Sequence, residues 1–136
     1  MIGLDTNVVI RYLAQDDLRQ SAAATRLFEK TLSAESPGFI SVVTLCEIAW
    51  VLADLYKADK GRIRAVIEGL LGSKQIHVQS AELAWKSIRA WQGSAADFAD
   101  ALIGELALAE GAAKTMTFDK AAAKLATFEL LAQEKP

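Results

Sequence analysis

Two hydrophobic periods run along this chain. Thr6–Ala14 carries Val8, Val9, Tyr12 and Leu13 at helical spacing, and RYLAQDD closes the run. From Asp17 to about Ser33 the pattern predicts a second helix, with Ala23, Leu27, Phe28 and Leu32 on its inner stripe and Glu29 and Lys30 outward. Further helices are predicted over Val42–Leu55, about Arg62–Leu71 with Gly72 as its stop, Ala81–Trp91 and Gly93–Gly111. Between them lie short strand-like pieces. MIGLD reads as a buried strand ending at Asp5, GFIS follows the SPG turn, QIHVQ alternates, and KTMTF makes a last strand before a turn from Asp119 into KAAAKLATF. Strands separated by long helical segments predict a helix-dominated α/β fold with a short, mainly parallel sheet.

One position breaks the pattern. Glu47 sits inside VVTLCEIAWVLADL, with apolar residues on nearly every side. A helix that is apolar all round is normally buried. A carboxylate taken there must be protonated, paired with a cation or bound to a metal. Arg11 and Arg62 are candidate partners, but no spacing requires either.

The other acids fall where a parallel sheet places ligands, outside the carboxyl ends of its strands. Asp5 ends the first strand and Asp119 follows the last. Each has a plain alternative as a helix cap or turn residue. Asp97 stands three residues after Ser94, so SAAD resembles a capping box. Asp100 is one turn further on, on the same face, where a cap has no use for it; pairing with a surface lysine is its ordinary alternative. Taken jointly, such acids suit a hard divalent cation such as Mg²⁺ or Mn²⁺, which takes carboxylate oxygens and substrate phosphate.

Bulk properties narrow the class. At 136 residues and 52% hydrophobic content, a single compact domain over residues 1–136 is expected. No apolar run reaches membrane-spanning length, the amino end lacks a basic leader region, and one cysteine fits a reducing cytoplasm. Cys46 reads as a small core residue. A net charge of -2 argues against a non-specific nucleic-acid coat protein, but not against a nuclease whose acids bind cations. With one histidine, His77, and one cysteine, the usual zinc site is nearly excluded. Neither a G-x-S-x-G elbow nor a phosphate-binding P-loop occurs. Trp50, Trp85 and Trp91 read as core or interface aromatics.

MIGLDTNVVIRYL, LCEIAWVL, DFADALI and TFD follow one another over most of the chain. This ordered set resembles the PIN-domain nucleases, specifically the bacterial VapC-type toxins of toxin–antitoxin pairs. The resemblance implies a Rossmann-like α/β/α sandwich and a ribonuclease dependent on Mg²⁺ or Mn²⁺. It implies that Asp5, Glu47, Asp100 and Asp119 are the catalytic acids, with Asp5, Asp100 and Asp119 as metal ligands and Asp97 as an additional one. Asn7 and Thr117 match supporting polar positions. The resemblance also implies an RNA substrate, a homodimer and a small antitoxin that wraps the nuclease, for which the helices over Asp17–Ser33 and Asp59–Leu71 offer a groove. Arg11, Lys57, Lys60, Arg62, Arg64 and Lys120 are available to guide RNA phosphates. Two rivals stand beside this reading. One is a PIN-like binding module without catalysis. The other is an aspartyl-phosphate phosphatase, disfavoured because LDTN lacks a D-x-D arrangement.

Overall fold

The computed structural model describes residues 1–135. The chain falls into two compact units, Met1–Ala81 and a second from Glu82 onward.

The first unit is built on three parallel strands in the order β1-β2-β3: β1 (Ile2–Gly3), β2 (Gly38–Ile40) and β3 (Ile76–Val78). In this register Gly38 lies between Ile2 and Ile76. A side chain at Gly38 would place its Cβ 2.6 Å from Leu4 Cδ1 and 3.0 Å from Leu32 Cδ1, so glycine lets those leucines close over the strand. The helices are α1 (Thr6–Ala14), α2 (Leu18–Arg26), α3 (Val42–Asp54) and α4 (Lys60–Gly72). All four begin alike. Asp5, Asp17, Ser41 and Asp59 each accept the amide of the residue three positions on, satisfying a donor the helix itself leaves unpaired. Val9, Ile40, Leu45, Ile48 and Ile67 are fully buried and form the centre of the core.

Three expectations for this unit change. MIGLD is not a buried strand: Ile2 and Gly3 are exposed at the edge of the three-stranded sheet, and only Leu4 is buried. The buried face of α2 runs through Ser21, Ala24 and Phe28, leaving Ala23 exposed. Ser21 is tolerated inside because its Oγ accepts the Asp17 amide at 3.4 Å. The end of that helix widens into a π-helical turn, Leu27–Thr31, which carries the chain to buried Leu32.

The second unit holds α5 (Ala81–Gln92), α6 (Phe98–Ala109) and a parallel pair, β4 (Thr115–Thr117) with β5 (Phe128–Leu130), joined through a 3₁₀ turn at Ala122–Lys124. The α6 helix starts at Phe98 and not at Gly93; residues 93–96 form a turn in which Ser94 Oγ accepts the Ala96 amide at 2.9 Å. Trp91 meets Phe98 edge to face at 5.7 Å between ring centres, fixing the entry to α6. Gly104 brings α6 close to the approach to β5. A Cβ there would collide with Thr127 Oγ1 and lie 2.8 Å from Phe128 Cε2.

The helix-dominated α/β fold with short parallel strands is therefore as expected, with β5 as an addition. Among the described residues, no helix is long and apolar enough to cross a membrane.

Candidate functional site

In the first unit, Asp5 lies just beyond β1 and caps α1, its Oδ1 accepting the Val8 amide at 3.0 Å. Glu47 is not buried. Helix α3 turns Leu45, Ile48, Ala49 and Leu52 inward, while Glu47 shares the outer face with Val43, 66% exposed, and Trp50, 63% exposed. The apolar surroundings in sequence are thus split between a core stripe and an uncovered one. Cys46 is only half-buried, and Trp50 is no core residue, unlike Trp91. Neither arginine considered for Glu47 appears beside it. Arg11 binds Asp16 at 2.9 Å and Gln20 at 2.9 Å, and Arg62 is an exposed residue of α4. What reaches Glu47 is a hydroxyl: Thr6 Oγ1 donates to Oε1 at 3.3 Å.

In the second unit, Asp97 itself caps α6, and Asp100 is its reciprocal partner. Asp97 Oδ1 accepts the Asp100 amide at 2.8 Å, and Asp100 Oδ2 accepts the Asp97 amide at 3.4 Å. The capping box therefore runs from Asp97 to Asp100, not from Ser94 to Asp97, and Asp100 has a capping role after all. Asp119 Oδ1 accepts the Ala121 amide at 2.8 Å, and its own amide donates to Thr117 Oγ1 at 3.0 Å.

Capping and cation binding are not alternatives for these residues. Asp5, Asp97, Asp100 and Asp119 each bind one oxygen to a main-chain amide. Among the described residues, no amide or hydroxyl donor is found on the other oxygen. The Asp100 carboxyl is pushed above its ordinary value, first by burial and then by the charge of Asp97, with Asp119 adding repulsion. Neither ion pair found among the described residues, Arg11–Asp16 and Arg64–Glu68, includes any of the five site acids. No three acidic, histidine or cysteine side chains among the described residues close into a metal-holding group. By donor type the set fits a hard divalent cation: every candidate ligand is a carboxylate oxygen, and the two charges that act on Asp100, Asp97 and Asp119, are both negative.

Asn7 is exposed and lines a cleft with Asp5. Lys57, Arg62 and Lys120 are also exposed, whereas Arg64 is held by Glu68 at 2.9 Å. Thr6 is the residue that sequence reasoning passed over. Its signal was a hydroxyl immediately after Asp5, at the first helical position, where a side chain can face both the cap and a neighbouring helix.

A family model described as PIN domain matches residues 2–127, a span that runs through both units and contains all five acids. No curated protein matches the chain at a significant level.

Proposed function

From the chain's membership of the PIN-domain family, whose members are generally metal-dependent nucleases, we propose that it is an endoribonuclease dependent on Mg²⁺ or Mn²⁺. On this reading it is a VapC-type toxin of a type II toxin–antitoxin pair, acting in the cytoplasm as one PIN domain. The observation that carries the reading is Asp100, a half-buried carboxylate facing two other carboxylates. Structural acids are usually relieved by a cation, and perturbed groups of this kind concentrate at functional sites.

Asp5, Asp97, Asp100 and Asp119 would hold the cation through the oxygens not committed to main-chain amides. When bound, the cation supplies positive charge that offsets charge developing on the phosphodiester and makes water more acidic. Glu47, with Oε1 fixed by Thr6, takes the proton of the attacking water on its other oxygen. The water oxygen bonds to phosphorus, the bond to the leaving ribose oxygen breaks, and that oxygen is protonated from solvent. Thr117 holds the main chain of Asp119 in place. Lys57, Arg62 and Lys120 are exposed cations suited to RNA phosphates. Exposed apolar side chains, Val43 and Trp50 on α3 and Met116, Phe118 and Leu130 around β4 and β5, supply surface for an antitoxin and a second copy of the chain.

A binding module without catalysis is the second reading, favoured by the lack of a closed three-acid group among the described residues. Cleavage of labelled cellular RNA by the purified chain, with Mn²⁺, Mg²⁺ or EDTA and beside Asp5→Asn, separates the two. Metal-dependent cutting that Asp5→Asn loses supports the nuclease. A folded, metal-binding chain that cuts nothing supports the module.

A further inference from the structure

We propose that the cleft between α1 and α2 is a base-reading pocket, which takes one nucleobase of a single-stranded RNA next to the phosphate to be cut. This rests on the nuclease reading above. The cleft has a volume of about 360 Å³, within the roughly 300–1,000 Å³ typical of small-ligand sites. Asp5, Asn7 and Arg11 line it from α1 and its cap, and Gln20, Ala23 and Leu27 line it from α2 and the turn beyond. Because Asp5 is part of the wall, whatever fills the cleft lies against one of the site acids.

Charge decides which part of a nucleotide fits. The Arg11 guanidinium is already bound to Asp16 at 2.9 Å, and Asp5 adds a carboxylate. A phosphate would therefore meet a compensated cation and an unfavourable anion. An uncharged ligand meets small apolar side chains, Ala23 and Leu27, and two neutral amides, Asn7 and Gln20. Flat apolar area combined with a hydrogen-bonding edge describes a nucleobase, and sequence-specific RNA recognition works mainly on bases splayed out of single strands. Side-chain amides are among the groups that read base edges.

The amide on α2 is oriented before any ligand arrives. Gln20 Oε1 accepts from Arg11 Nε at 2.9 Å, so its carbonyl is occupied and its NH₂ is the group left to donate. Arg11 is braced in turn by Asp16, whose other oxygen accepts the Tyr56 hydroxyl at 2.6 Å. Gln20 is thus set to select a base that presents an acceptor. No hydrogen bond is found on the Asn7 amide among the described residues, so it can read a second atom.

The test maps cleavage positions on a random-sequence single-stranded RNA pool with Mn²⁺. The wild-type chain is compared with Gln20→Glu and Ala23→Phe. Gln20→Glu keeps an acceptor for Arg11 but removes the donor, and exposed Ala23→Phe fills the cleft. Hydrolysis of bis(p-nitrophenyl) phosphate and thermal melting are measured alongside, as readouts that need no base. The expected result is a wild-type preference at one position flanking the cut. Gln20→Glu changes the preferred base, and Ala23→Phe lowers preference and RNA cleavage by about tenfold, while both hydrolyse the small diester as the wild type does. If the variants keep the wild-type preference and rate, the cleft does not read RNA and is left to a protein partner. A wild type that cuts RNA with no base preference also overturns the proposal while leaving the nuclease intact. A wild type that cuts neither RNA nor the small diester overturns the nuclease reading and the pocket with it.

Discussion

Asp16 and Asp100 are the same residue in opposite circumstances. Asp16, in the first unit, receives the Tyr56 hydroxyl at 2.6 Å and the Arg11 guanidinium at 2.9 Å. These donors, Tyr56 foremost, hold its carboxyl below the usual value. Asp100, in the second unit, is partly withdrawn from water and faces Asp97 and Asp119, and its carboxyl is pushed up. Linkage gives the two opposite signs. The stability from Asp16 is present above its ordinary value of 3.8 and is lost as pH falls through the lowered folded value. For Asp100 the favourable contribution exists below 3.8 and is lost as pH rises through the raised folded value, so at neutral pH its charge strains the fold. A carboxylate surrounded by donors belongs to the scaffold. One surrounded by its own kind carries a repulsion that protonation or a cation would relieve.

The sharpest break of this contrast is Asp100→Asn. RNA cleavage is expected to fall by at least about 100-fold, the upper end of what losing a supporting partner costs a metal site. The same variant melts higher than wild type in EDTA at pH 7, because a charge repulsion is gone. A variant that melts lower in EDTA and still cuts RNA would place Asp100 with Asp16 among the structural acids. Gly104→Ala tests whether close packing of α6 maintains the crowding. Overpacking against Thr127 and Phe128 should cost about 1–3 kcal/mol, read by urea denaturation. Thr6→Val removes the hydroxyl from Glu47 and should lower cleavage by about tenfold, while Thr6→Ser restores it; equal loss in both would show that packing, not the hydrogen bond, matters at that position. Tyr56→Phe is the mildest. It should let the Asp16 carboxyl drift up toward its ordinary value, seen by NMR titration, and leave hydrolysis of bis(p-nitrophenyl) phosphate unchanged.

How much of this was legible in sequence depended on what each signal measured. Asp5 and Asp17 stood directly before helical periodicity, and both cap helices. The order of helices and short strands followed from hydrophobic spacing. Glu47 misled because apolar neighbours along a helix do not say which of them the fold covers. Val43 and Trp50 are as apolar as Ile48, yet only Ile48 is buried. The capping box failed by register. Ser94 to Asp97 and Asp97 to Asp100 have the same spacing, and the contact of Trp91 with Phe98 favours the later start. Strand β5 was hidden because KAAAKLATFELL continues a helical pattern, and its pairing with β4 is a tertiary contact no local period encodes. Like-charge crowding at Asp100 followed from reading the acids jointly, whereas its reciprocal cap with Asp97 did not.

The reciprocal cap at the start of α6 also governs how this protein can be inactivated cleanly. Alanine scanning would remove a helix-starting hydrogen bond along with any chemistry at Asp97 or Asp100. Its losses would mix an unravelled first turn with an absent ligand. Asparagine caps a helix about as well as aspartate and carries no charge. Asparagine variants are therefore the ones to pair with bound RNA in a structure determination.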